Sequence, residues 1–295
     1  MHIALKLISA IALAHVAGAA TAATAAKPDP ATPVAAGDSR HGALEFPIAR
    51  QYHCNKTGGY YWPIDGSGIS DPGCRAAYQA AFAKDRPAAP DLAQHEAAIK
   101  AYREQLGAHA GDSSVTDEQA NKAAHAVYPL EQWPEFSVNV PQYNEEAKVK
   151  EQIPDGHLCS AGQHGQNWDP RKGLWNDKSG FDIPANWTAQ EVTPNADGKV
   201  HFKFHIMAVH NPSFWRIYLS KPGYDASQRA LKWDDLELLE SLGDIKPKGN
   251  YYEMDVDFKN HTGKRVVYIR WQREDAVGEG FYNCSDVNIV ARKAS

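Results

Sequence analysis

The chain has 295 residues, 43% hydrophobic and 23% charged, with a formal net charge of -5. That apolar share supports a buried core and excludes global disorder. The acidic balance argues against a nucleic-acid partner, which calls for a basic face.

In chain order, Lys6 set among Leu5, Leu7, Ile8, Ile11 and Leu13, followed by small residues, reads as a secretory signal peptide over residues 1–25. Its end falls between 22 and 26, because Ala-Thr-Ala sites finish at both Ala22 and Ala25. No other apolar run is long enough for a membrane span, so no membrane partner is expected. Residues 26–40, rich in Pro, Ala, Asp and Gly and without periodicity, read as a disordered linker or pro-segment. The remainder, 41–295, reads as one domain with no further module after its last strand. Tyr60-Tyr61-Trp62-Pro63 cannot be regular helix and is expected to form a loop or surface platform. Ala77, Tyr78, Ala81 and Phe82, then Leu92, Ile99, Tyr102 and Leu106, have helical spacing and predict two short helices divided by a proline break. Asp112 to about Lys150 is polar and predicts a helical or irregular insertion.

The second half changes texture. Val200, Phe202, Phe204 and Ile206 alternate with polar residues, and the pattern recurs in Trp215-x-Ile217-x-Leu219, Met254-x-Val256-x-Phe258, Val267-x-Ile269-x-Trp271 and Val287-x-Ile289. Such strands, separated by Gly, Pro and Asn turns, predict a mainly β antiparallel sandwich, with the helical residues forming an insertion between early strands. Export places the four cysteines in an oxidising compartment, where two disulfides are expected. Of the three possible pairings we favour Cys54 with Cys74 and Cys159 with Cys284.

Thirteen histidines invite metal hypotheses, but isolated ones such as His109 and His125, in polar helical stretches, are expected to be solvated. His41 differs, because it stands between the irregular segment ending in Arg40 and an abruptly structured sequence, His41-Gly42-Ala43-Leu44-Glu45-Phe46-Pro47. Processing there exposes a histidine α-amine. An amine and imidazole on one residue, joined by a second imidazole, make a three-nitrogen set suited to copper. His210, at the end of an alternating strand, is the second candidate, although spacing alone favours a turn-capping histidine before Pro212.

Longer blocks strengthen this reading. His41-Gly42, Pro47, Ala49-Arg50-Gln51-Tyr52, Cys54 and Tyr61-Trp62-Pro63 resemble the mature start of viral fusolins, chitin-active lytic polysaccharide monooxygenases of auxiliary activity family ten. The resemblance continues through Asp155-Gly156-His157-Leu158-Cys159, the His210 segment into Tyr218-Leu219-Ser220-Lys221, Tyr268-Ile269-Arg270-Trp271 and Gly278-Glu279-Gly280-Phe281-Tyr282-Asn283-Cys284. It is weakest from about Asp85 to Lys150.

The resemblance implies an immunoglobulin-like or fibronectin-like sandwich whose residues 41–295 form a copper monooxygenase domain holding one copper ion; the signal peptide predicts secretion, and a monomer is expected. It implies His41 and His210 as ligands, Phe281 on the axial side of the metal, Ala208 restricting the opposite side, and Glu279 as a nearby acid. Trp271 reads first as a core tryptophan and second as a neighbour of the copper. Tyr60, Tyr61, Trp62 and Glu45 are the expected substrate contacts, with one or two of the aromatics packed beneath the loop. The implied reaction is oxidative cleavage of crystalline chitin at the anomeric carbon, using an external electron donor and hydrogen peroxide or dioxygen.

Rival functions are weaker. A glycosidase needs a carboxylate pair; Glu237, Glu240, Asp255 and Asp257 offer one only as parts of an acidic helix or strand. Gly-x-Ser-x-Gly and His-Glu-x-x-His are absent. The alternative from another class is a non-catalytic chitin-binding protein or adhesin. It is favoured if Lys27–Arg40 remain attached, since Arg40 is not a signal-peptidase residue.

Overall fold

The computed structural model describes residues 41–291, so the expected signal peptide and linker lie outside the described residues. The chain enters through β1 (Gly42–Phe46) and α1 (Arg50–Thr57), then runs through α2 (Pro72–Phe82), α3 (Leu92–Gln105) and α4 (Asp117–Glu131). After β2 (Ser137–Asn139) and α5 (Glu146–Gln152) come the hairpin β3 (His164–Asp169) and β4 (Leu174–Asp177), then β5 (Gln190–Val192). The strand-rich half follows as β6 (Lys199–Ile206), β7 (Ser213–Ser220), β8 (Leu236–Leu242), β9 (Tyr251–Asp257), β10 (Gly263–Arg273) and β11 (Glu279–Ile289).

Local chemistry explains the helix starts. Asp71 caps α2 by accepting from Cys74 N at 2.8 Å, with Pro72 in the first turn where its missing N–H costs nothing. Thr116 and Gln119 form a reciprocal capping box on α4. The two helices expected between Cys74 and Gly107 are α2 and α3, and the polar stretch after Asp112 resolves into α4, β2 and α5. Helix α1, the β3–β4 hairpin and β5 had no counterpart in the sequence reading. Helix α1 has no clear apolar stripe, and the β3–β4 hairpin is built largely from polar residues.

The architecture is a mainly β sandwich. One sheet has the order β1-β6-β9; the other has β2-β11-β10-β7-β8, with β5 joining β11 in parallel. The alternating apolar residues meet between the sheets: Phe202, Phe204, Trp215, Ile217, Leu219, Met254, Val256, Val267, Ile269 and Trp271 form one buried cluster. At about 25 cal/mol per Å², such burial is the main driving force for folding.

The intervening positions of β10 and β11 are buried as well. Val266, Tyr268, Tyr282 and Cys284 pack against the helical insertion in a second cluster, with Tyr78, Tyr128, Phe136 and Phe181. The larger sheet is therefore covered on both faces. Disulfides join Cys54 to Cys74 and Cys159 to Cys284, the latter tying the insertion region to β11. His125 corrects an expectation: it is 1% exposed in α4, not solvated, and His109 stacks on Trp62 with ring centres 4.0 Å apart.

Candidate metal centre

Backbone pairing brings together the ends of elements far apart in sequence. Gly42 pairs with Ile206 across β1 and β6, and Phe281 pairs with Trp271 across β11 and β10. These registers gather His41, the loop after β6 carrying Ala208 and His210, and the start of β11 at one end of the sandwich. The His-Gly dipeptide has a steric reason. Gly42 has φ +139°, and a Cβ there would lie 2.1 Å from the His205 carbonyl oxygen. Only glycine fits. The turn around His41 is held by Met207 N donating to His41 O at 3.2 Å and by Gly42 N donating to Pro134 O at 3.2 Å.

The His41 and His210 rings lie 4.4 Å apart, and His41 Nδ1 and His210 Nε2 are both sealed from solvent without a hydrogen-bond partner. Buried polar atoms are ordinarily satisfied, so two unpaired nitrogens on adjacent rings fit a cation held between them. Donor atoms of His41, His210 and Glu279 lie within 4.8 Å of one another. Burial, reinforced by Arg273 and Arg171, lowers the His41 imidazole to about 4. Burial, then His41 and Arg273, lower His210 to about 4. At neutral pH both rings are therefore uncharged, the form that binds metal.

The surrounding side chains set the shape of the centre. Phe281 is fully buried, with its ring 4.5 Å from His41 and 4.9 Å from Trp271. Trp271 is itself buried 5.5 Å from His210, so its core position and its proximity to the histidines coexist. Ala208 is half-buried between the exposed Met207 and Val209. The Glu279 carboxylate accepts from Arg273 Nη1 at 2.9 Å and Ser137 Oγ at 3.2 Å, and stands 3.5 Å from His41 Nε2.

Sequence reasoning gave no role to Arg273, Ser137 or Tyr252. The Tyr252 hydroxyl accepts from His210 N at 3.2 Å and donates to Asn211 Oδ1 at 3.0 Å, orienting the second histidine. Tyr252 sits in β9, far from either histidine in sequence, and only its inward-facing register could have pointed to it.

The expected substrate residues divide. Glu45, on β1, accepts from Tyr251 Oη at 3.2 Å. Tyr60, Tyr61 and Trp62 are all half-buried, and their contacts run into the insertion: Tyr61 donates to Glu131, Trp62 stacks on His109, and Tyr60 accepts from Asn55. A second cluster of metal-ligand types, His53, Asp71 and Cys74, is not a metal set, because Cys74 is in a disulfide and His53 pairs with Asp71 at 3.0 Å. Glu237 and Glu240 lie on β8, and Asp255 and Asp257 on β9, all on strands.

The family model described as lytic polysaccharide mono-oxygenase, cellulose-degrading, matches residues 41–287, beginning at His41. The chain is 32% identical to spindolin of Choristoneura biennis entomopoxvirus over 264 residues, covering 84% of this chain and 69% of that one. Its fold is similar to the fusolin in spindles of Anomala cuprea entomopoxvirus, with TM-score 0.64 and 30% identity over 86% of this chain and 92% of that one. A Cellvibrio japonicus lytic polysaccharide monooxygenase described as important for efficient utilization of chitin has TM-score 0.53 and 25% identity, covering 84% and 99%. Together with the paired histidines under a glycine-fixed turn, these matches establish that the chain belongs to the lytic polysaccharide monooxygenase family.

Proposed function

We propose that this protein is a secreted, monomeric enzyme that uses one copper ion to cleave crystalline chitin oxidatively at the anomeric carbon. The observation that carries the reading is the pair of sealed, unpartnered nitrogens on His41 and His210, their rings 4.4 Å apart. When bound, copper supplies the one-electron redox chemistry that couples an external donor to hydrogen peroxide or dioxygen.

The chain's own residues prepare that chemistry. After cleavage following Arg40, the His41 α-amine and ring and the His210 ring would hold the metal, a nitrogen set that suits copper. Phe281 walls the site with an apolar ring and excludes water, while Ala208 keeps a small side chain beside His210. Glu279, restrained by Arg273 and Ser137, would hold or pass a proton at its carboxylate oxygen. Trp271 backs the His210 ring, and Tyr252 holds the His210 backbone N–H through its hydroxyl. Tyr60, Tyr61, Trp62 and Glu45 are assigned to substrate contact; the half-buried aromatics would offer edges and partial faces to sugar C–H groups. Chitin is chosen over cellulose because of the likeness to fusolins and to the Cellvibrio chitin-utilization enzyme.

The test is intact mass spectrometry of the secreted protein with and without copper, followed by a product assay on chitin. We expect a chain starting at His41 that gains one copper and releases aldonic-acid-ended oligosaccharides, and a His210→Ala variant that does neither tightly. A secreted form retaining Lys27–Arg40 that binds chitin without taking up copper would replace this reading with a binding protein. Undiminished oxidised products from His210→Ala would remove the metal assignment.

A further inference from the structure

The helical insertion carries a second pair of histidines. His95 lies in the first turns of α3 and His125 in the middle of α4, with ring centres 5.8 Å apart at 43°. His95 Nδ1 and His125 Nε2 are each sealed from solvent and have no hydrogen-bond partner. His125 is 1% exposed, and its other nitrogen, Nδ1, lies 2.9 Å from the Asn121 carbonyl oxygen. A carbonyl can only accept, so Nδ1 carries the proton and Nε2 presents a lone pair. The Trp168 indole lies 6.3 Å from the His95 ring. Asn121 Oδ1 on α4 and Asn176 Oδ1 on β4 are further buried oxygens without a hydrogen-bond partner.

We propose that His95 and His125 form a second metal site, in which one soft or borderline cation, cuprous copper or zinc, bridges α3 to α4. With two metal–nitrogen bonds of about 2 Å, ring centres 5.8 Å apart call for a bent rather than a collinear bridge. Imidazole nitrogens select such ions over calcium or magnesium. Burial holds His125 uncharged at neutral pH, and the nearby charges of Arg86 and Asp177 act on it in opposite senses. The bridge would anchor α3, of whose residues only Tyr102 is buried. This inference does not rest on the activity proposed above, since neither histidine belongs to the first centre.

The experiment uses the full chain bearing His210→Ala, stripped with chelator, and counts bound metal after titration with zinc or, under ascorbate, with cuprous copper. One residual equivalent is expected, weakened at least tenfold by His95→Gln, together with a metal-dependent rise in melting temperature that the same substitution abolishes. His95 is half-exposed, so that variant tests the site without opening the core, and His53→Gln serves as a control that leaves binding unchanged. Zinc alone or copper alone supports the site and names its ion. No residual equivalent, or one indifferent to His95→Gln, overturns it and leaves a pair bridged by water.

Discussion

The two faces of the larger sheet are covered in different ways. Between the sheets, β7, β10 and β11 bury Trp215, Trp271, Phe281 and aliphatic side chains. On the opposite face the same strands meet the insertion, where buried polar groups recur: Arg50 with Asp286, Arg270 with Gln272, and Lys178 with the Glu135 carbonyl. An apolar face tolerates exchange among residues of similar volume. A polar buried face does not, because each charge depends on a named partner. The metal ligands sit where the apolar face reaches the end of the sandwich, so their backing is dry and aromatic.

That comparison can be broken at Arg50. Its guanidinium holds both Asp286 oxygens, at 2.6 and 2.9 Å, and donates to Phe181 O at 2.8 Å. Arg50→Met should cost about 3–5 kcal/mol in urea unfolding by leaving Asp286 buried and unpaired. Adding Asp286→Leu should recover most of it; a double variant as weak as the single would show that the ion pair itself supplies the stability. Next in size, replacing Cys159 and Cys284 together by Ala frees the insertion from β11 and should cost about 2–5 kcal/mol.

A pH titration of stability sharpens the same contrast. Asp177 is held well below the usual carboxylate range despite burial, because Lys84, Ser179 and Arg86 bond to its ionised form. A depressed carboxylate stabilises the fold fully above its unfolded value, about 4, and loses that contribution as pH falls toward the folded value. Wild type should therefore lose stability below about pH 4 more steeply than Asp177→Asn, as followed by thermal melts; parallel curves would remove Asp177 from the acid response. The smallest effect is expected from Tyr252→Phe, about 1 kcal/mol. It should also weaken copper binding roughly tenfold by loosening His210, measured by competition with a chelator.

Much of the sandwich could be read directly, because alternation has a period of two and a half-buried strand shows it plainly. Val200 to Ile206 and Val267 to Trp271 lie where that pattern places them. His125 escaped for the opposite reason: in a run of Ala and polar residues its side chain has no local signal of burial, and tertiary packing, with His95 of α3 beside its ring, encloses it. The glycine after His41 was visible as a dipeptide, but its necessity came from the His205 carbonyl, a neighbour across the sheet.

By itself the sequence determined the alternating strands, helices α2 and α3 and the family, since these depend on local spacing and on residue blocks in order. The tertiary structure decided that the larger sheet is buried on both sides. It also decided that Arg273 and Ser137 restrain Glu279, that Tyr252 orients His210, and that His95 meets His125. Those facts depend on distances between elements far apart in the chain, which register and packing set and local preference does not encode.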